Sequence, residues 1–306
     1  MCGWRRRSMK GLESFGHIAR EIWKPEPSAG ALDWAETHVQ MDKRYTDRPG
    51  LYSCDYTPYF REIYAAWDDR RVRQITLTSS VQVGKTTLAK NLLMHCIAAN
   101  PAPMLYVSST EDNARSWSER ELQDSLDKCP PVRKQLPLKQ DDRKKLEIHF
   151  RNCTLRLVGS NSPANLASRP IKYLFADEVD KWPPEKSGEA PAWHLALDRT
   201  VSYRGTEKVF VASTPTVESA IIWCEYLKGT QETYHVQCPH CREDIPLEFF
   251  GVDGKGGVKW PQNLKDLLGK WDIEAVRAQA WYECPACGEP IEQHSQTELV
   301  DRGRWI

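Results

Sequence analysis

The distribution of apolar and polar positions predicts alternating strands and helices over most of the chain. "WKPEPSAGALDWAETHVQM" reads as a short helix entered through a proline segment. "YTDRPGLYSCDYTPYF" reads as an extended lead-in, because its prolines disfavour helix. "FREIYAAWDD" has helical periodicity. Next come a strand in "RQITLTSS" and a helix in "KTTLAKNLLMHCIAAN" that stops before Pro101. "PMLYVSS" predicts a buried strand, and "TEDNARSWSERELQDSLDKC" a polar helix with Thr110 as N-cap. "KLEIHFRNCTLRLVGS" alternates as a hairpin with its turn at Arg151 and Asn152. "IKYLFADEVD" and "EKVFVASTPT" are further strands ending in polar residues.

Strands separated by helices imply an α/β fold with a mainly parallel sheet. After about residue 233 the character changes to cysteine pairs, glycines and tryptophans, which marks a boundary. The expected organisation is a lead-in at 1–50, an α/β domain at 51–232 and a small region at 233–306. No run of 18 apolar residues predicts a membrane helix, and "MCGWRRRSMKG" lacks the apolar stretch of a secretory signal. Lys and Arg together equal Asp and Glu, 42 each, so net charge selects no partner.

"SSVQVGKTTLAK" carries the sharpest chemistry. Gly84, Lys85 and Thr86 end a phosphate-binding loop, although Ser79 stands where the usual pattern has its first glycine. Backbone N–H groups of Ser80, Val81, Gln82, Val83, Gly84, Lys85, Thr86 and Thr87 would form the anion nest at a helix N-terminus. Ser79 also has a backbone N–H, so the nest chemistry survives the substitution. Lys85 would reach the β/γ-phosphates and Thr86 would offer its hydroxyl to Mg²⁺.

The strand "YLFADE" delivers two acids to the sheet's C-terminal edge, where α/β ligands bind. Asp177 would hold Mg²⁺ with Thr86, and Glu178 would polarise an attacking water. Together the two motifs specify a P-loop NTPase of the additional-strand, catalytic-glutamate type. Ser213 and Thr214, at another strand tip, read either as γ-phosphate sensors or as a Ser-Thr-Pro turn. Arg169, Arg199 and Arg204 are candidates for an arginine finger, with surface salt bridges as the alternative for each. Lys139, Arg143, Lys144 and Lys145 form a basic cluster that reads either as a DNA-phosphate contact or as a solvated face.

Four of the ten cysteines form two pairs, Cys238-Pro-His-Cys241 and Cys284-Pro-Ala-Cys287. Two such turns complete a tetrahedral S₄ site for structural Zn²⁺. "CPHC" is also a dithiol redox string. A redox pair belongs at a helix start, however, and here the strand-like "TYHVQ" leads in. His240 and His294 read as surface residues rather than ligands.

These motifs, in this order, resemble the large terminase subunit of lambda-like tailed phages. "TPYFREIYAAW" resembles that family's adenine-side segment, and "SSVQVGKTT" its variant phosphate loop, in which the first glycine is commonly replaced. "NSPANLASRPIKYLFADEVDKWP" is the most specific stretch, and "VASTPT" is similar to the motif coupling ATP hydrolysis to DNA movement. The resemblance implies ATP and Mg²⁺ at the site, double-stranded DNA as substrate, and a small terminase subunit and portal protein as partners. It further implies an active homo-oligomer in the host cytoplasm. The family's nuclease domain follows the motor, whereas this chain stops at "DRGRWI", so no DNA cleavage is expected from these residues. A helicase-like P-loop translocase and a non-enzymatic zinc-ribbon DNA adaptor are the alternatives.

Overall fold

The computed structural model describes residues 29–184, 190–265 and 268–306. The first 28 residues of the expected lead-in lie outside them. Six strands form the central sheet: β1 (Gln74–Thr78), β2 (Met104–Ser108), β3 (Glu147–His149), β4 (Thr154–Gly159), β5 (Tyr173–Asp177) and β6 (Lys208–Ser213). Their order across the sheet is β1-β6-β5-β2-β4-β3. All neighbours are parallel except the β3/β4 hairpin, which pairs Ile148 with Leu155. Thus β6, the last of these six strands in sequence, is inserted between the phosphate-loop strand and the Asp177 strand.

The strands read as continuous apolar runs because both faces of the sheet are covered. Tyr173 and Phe175 on β5 pack into one cluster with Phe210 and the helices α1 (Ala31–His38), α2 (Arg61–Asp68) and α3 (Lys85–Ala99). Leu174 and Ala176 face the other way, into a cluster with Val209, Val211, Trp193 and Ile222. Period-two alternation within one strand therefore feeds two cores. Ala31, Trp34, Ala35 and Val39 belong to the first of them. Residues 31–39 are thus packed into the α/β core, although the sequence assigned them to a lead-in.

Thr110 caps α4 (Glu111–Trp117) by accepting from the backbone N–H of Asn113 at 3.1 Å. The expected single polar helix is interrupted by a π turn, Ser118–Leu122, before α5 (Gln123–Lys128).

The remaining region is built from short antiparallel strands. β7 (Tyr234–Gln237), β8 (Asp244–Pro246) and β13 (Arg304–Trp305) form one sheet. A second contains β9 (Phe250–Val252), β10 (Lys255–Lys259), β11 (Trp281–Glu283) and β12 (Pro290–Ile291). Its buried cluster is small: Val236, Cys238, Ile245, Cys284 and Ile291. The region is not a loose appendage, because Trp305 on β13 packs against the α/β core. Its indole N–H donates to the Tyr59 carbonyl at 2.8 Å, and Arg61 on α2 pairs with Asp301 at 2.8 Å. Among the described residues, no helix is long and apolar enough to cross a membrane.

Candidate active site and metal centre

The phosphate loop connects β1 to α3. Its left-handed positions are Gln82 (φ 60°) and Gly84 (φ 94°); Ser79 has no positive φ. The backbone therefore does not require glycine at Ser79. At Gly84 it does, and an added Cβ would also meet the Phe60 ring at 3.4 Å. Ser79 is fixed instead by its N–H, which donates to the Ser213 carbonyl at 3.3 Å.

Lys85 opens α3 and is buried. Its ammonium donates to the Ser80 carbonyl at 2.5 Å and to the Thr214 hydroxyl at 3.1 Å, with the Ser79 carbonyl at 3.4 Å. Burial lowers its pKa below the ordinary lysine value, partly countered by Asp177 and Glu178. A buried cation held by neutral oxygens is suited to take an anionic phosphate.

Thr86, one residue on, donates to Asp177 Oδ2 at 2.9 Å. The Tyr106 hydroxyl donates to the same oxygen at 2.9 Å. Asp177 Oδ1 is buried without a hydrogen-bond partner. Burial raises the Asp177 pKa, countered by the bonds from Thr86 and Tyr106. An orphaned carboxylate oxygen beside a threonine hydroxyl is a hard-oxygen donor set of the kind Mg²⁺ takes. The residues present thus fit the implied ion.

Glu178 lies just past the strand with a left-handed backbone (φ 52°), a conformation that non-glycine residues adopt at a cost and that is common at working sites. Its carboxylate meets Lys181 at 2.6 Å. Ser213 is buried, and its hydroxyl accepts from the Asp180 N–H at 3.2 Å. The structure therefore brings Lys85, Thr86, Asp177, Ser213 and Thr214 into one strand-tip cluster, with Glu178 at its margin.

A cleft of about 350 Å³ adjoins the loop at Gln82, Val83, Gly84 and Thr87. Arg48, Tyr56 and Tyr59 also line it, and the Tyr59 hydroxyl donates to the Val83 carbonyl at 3.0 Å.

The arginine candidates are not at this site. Ile171, two residues before β5, donates its N–H to the Arg199 carbonyl at 3.0 Å. Arg204 is exposed and precedes β6. Both lie at the opposite edge of the sheet, roughly 13 Å of strand away from the tips. Arg169 pairs with Glu147 on β3, the edge strand farthest from β1. Proximity in sequence to a strand's start places a side chain at the wrong end for a ligand bound at the strand's finish. In the basic cluster, Arg143 is bound to Asp127 at 2.8 Å and Lys145 is paired with Glu119.

Sequence reasoning missed Tyr106 and Asp180. Tyr106 had a signal: a tyrosine inside a buried apolar strand needs a partner for its hydroxyl. Asp180 was visible only as one more acid after the motif.

The two cysteine pairs occupy equivalent turns, one between β7 and β8, the other between β11 and β12. In each, the first cysteine's N–H donates to the carbonyl five residues on: Cys238 to Glu243 at 2.9 Å, Cys284 to Glu289 at 3.0 Å. The residue after each pair, Arg242 or Gly288, is left-handed. All four sulfurs lie within 4.8 Å of one another, and the Cys238–Cys287 and Cys241–Cys284 separations are both 3.9 Å. A tetrahedron with Zn–S bonds of about 2.3 Å has edges of about 3.8 Å, so the geometry fits zinc. His240 instead faces the Pro290 carbonyl at 3.0 Å, and neither it nor His294 joins the cluster.

The family profile of the phage terminase large subunit gpA, ATPase domain, matches residues 46–305. Over 250 residues the chain is 21% identical to the large terminase subunit of Escherichia phage lambda. That match covers 79% of this chain and 38% of the lambda protein, so the chain spans well under half its relative's length. Among solved structures, the large terminase of bacteriophage HK97 superposes with a TM-score of 0.51 at 10% identity, covering 66% of this chain and 41% of that one. The ATPase domain of the Thermus phage P74-26 large terminase gives 0.43 at 16% identity, covering 68% and 82%.

Proposed function

The chain belongs to the phage terminase large subunits of the gpA family, matched through their ATPase domain, and on that premise we propose that it is an ATP-hydrolysing motor that moves double-stranded DNA into a capsid. The observation that carries this reading is the convergence of Lys85, Thr86, Asp177 and Thr214 at the sheet's C-terminal edge through bonds of 2.9–3.1 Å.

In this reading the loop N–H groups and Lys85 bind the β- and γ-phosphates. Mg²⁺ held by Thr86 and Asp177 would neutralise charge on those phosphates. Lys85 exchanges its carbonyl partners for phosphate oxygens, and Thr214, bonded to Lys85 now, registers the exchange. Glu178 orients the attacking water and takes its proton. Buried donors in a fixed array need little reorganisation as charge develops, which is the main source of catalysis in phosphoryl transfer. The cleft walled by Tyr56 and Tyr59 takes the base.

An arginine finger would come from a neighbouring copy, with exposed Arg169 the candidate at the outer edge. The four cysteines hold a structural Zn²⁺ that rigidifies the C-terminal ribbon. Double-stranded DNA, a small subunit and a portal are the partners, in the cytoplasm of the host bacterium.

The test is steady-state ATP hydrolysis by the full chain with and without double-stranded DNA. Mg²⁺-dependent turnover that rises with duplex DNA is the expected result. Turnover stimulated only by single strands would favour a helicase-like translocase, and no turnover under any condition would favour a non-enzymatic adaptor.

A further inference from the structure

We propose that Asp180 is the positioning residue that transmits the state of the nucleotide site to the loop and helix after the Ser213-Thr214 strand tip; this rests on the nucleotide-hydrolysing reading above. Asp180 sits in the short 3-10 turn Val179–Lys181 that directly follows Glu178. Three bonds leave it, one to the end of the neighbouring strand β6 and two to the chain that follows it. Its N–H donates to Ser213 Oγ at 3.2 Å. Its Oδ2 accepts from the Thr216 N–H at 3.2 Å, and its Oδ1 from the Ile222 N–H at 2.9 Å.

Ile222 lies in the first turn of α6 (Ile221–Leu227), whose own N-cap, Ala220, supplies no side-chain acceptor. Asp180 therefore caps α6 from outside, with a charge sign that the helix N-terminus favours. A carboxylate with both oxygens committed to two different backbone donors has little freedom to move independently of either. A shift of the turn bearing Glu178 must displace residues 214–222, or break these bonds.

The same turn is tied to the nucleotide side. The Trp182 indole donates to the Asp177 carbonyl at 3.0 Å, and the Lys181 N–H to the Glu178 carbonyl at 2.9 Å. On the receiving side, Thr214 is held by Lys85. Asp180 thus closes a circuit of Asp177, the turn, α6, Thr214 and Lys85. Two elements that bind nucleotide are joined to one, α6, that does not touch the site.

Hydrogen exchange on the full chain, with and without a non-hydrolysable ATP analogue and Mg²⁺, tests this. In the unaltered protein the analogue should slow exchange at residues 214–227 by at least about threefold. Asp180→Ala should abolish that change while analogue affinity stays within about twofold, with kcat down about tenfold and KM little altered. Asp180→Asn keeps one acceptor and should recover part of the response. Thr216→Pro, which deletes one donor and leaves Asp180 intact, should weaken the response and guards against misfolding of the first variant. An unchanged response in Asp180→Ala would overturn the proposal, as would analogue binding without any change at 214–227 in the unaltered protein. Failure of the unaltered protein to bind the analogue at all would overturn the nucleotide-site reading, and this proposal with it.

Discussion

The Thr86 hydroxyl lies 2.9 Å from Asp177 Oδ2, joining residues 91 positions apart in the chain. The contact exists because α3 starts at Lys85, beside β1, while β5 brings its acid to the same edge two strands away. Tyr106 on β2 completes it from the other side. Asp177→Asn preserves volume and an acceptor for both donors, so the fold should persist. Mg²⁺-nucleotide binding should weaken about a hundredfold and binding without Mg²⁺ little. Tyr106→Phe, which removes only the supporting bond, should cost about tenfold. Titration of a fluorescent ATP analogue with and without Mg²⁺ checks both.

The four-cysteine centre should hold one zinc ion per chain by elemental analysis. The ribbon's buried cluster is too small to fold unaided, and metal ligation supplies the missing free energy. A chelator should unfold the ribbon while the central sheet, which has its own two cores, stays folded. Cys284→Ser should loosen the Cys238 turn as well, since both turns share one ion. Loss of order confined to the Cys284 turn would show separate sites, and a Cys238–Cys241 disulfide would restore the redox reading.

Trp305 should couple ribbon and motor. Trp305→Ala removes the bond to Tyr59 and the ring contact with Tyr234 at 5.6 Å. A loss of about 2 kcal/mol in stability is expected. ATP affinity should fall as well, because Tyr59 holds the Val83 carbonyl of the phosphate loop. Denaturant unfolding and nucleotide titration of the same variant separate the two effects.

Lys90 on α3 is 3% exposed and pairs with Glu121 at 2.5 Å. Glu121→Ala leaves that ammonium buried without its partner. It should cost about 3 kcal/mol, the low end of the range because Glu121 itself is 20% exposed. Replacing both, Lys90→Met with Glu121→Leu, should recover most of the loss. Urea midpoints of the three proteins decide the matter.

The strand runs and the positions of the motif residues at strand and helix ends were legible because each depends on local pattern. Lys85, Thr86, Asp177 and Glu178 lie at strand or helix ends that periodicity alone can find. The cysteine turns were legible for the same reason. What escaped was set by strand order: Tyr106 meets Asp177 only because β2 and β5 are neighbours, and Asp180 reaches Thr216 and Ile222 only because β6 is inserted beside β5. The distance of Arg199 and Arg204 from this chain's own strand tips was set by direction, since β5 and β6 run away from them toward the site. The packing of the lead-in helix against the α/β core was not legible, because Trp34 and Ala35 declare their burial only through contacts with distant residues.

The central claim, nucleotide hydrolysis at this strand-tip cluster, is tested most directly by ATP turnover of Glu178→Gln beside its ATP affinity. Glu178 is half exposed, so the substitution should leave the fold intact. Binding should stay within about twofold of the unaltered protein while turnover falls at least about a hundredfold. Lys85→Ala, in contrast, should lose both binding and turnover. Glu178→Gln hydrolysing ATP at the unaltered rate would contradict the assignment of the catalytic carboxylate and the reading of the site built on it.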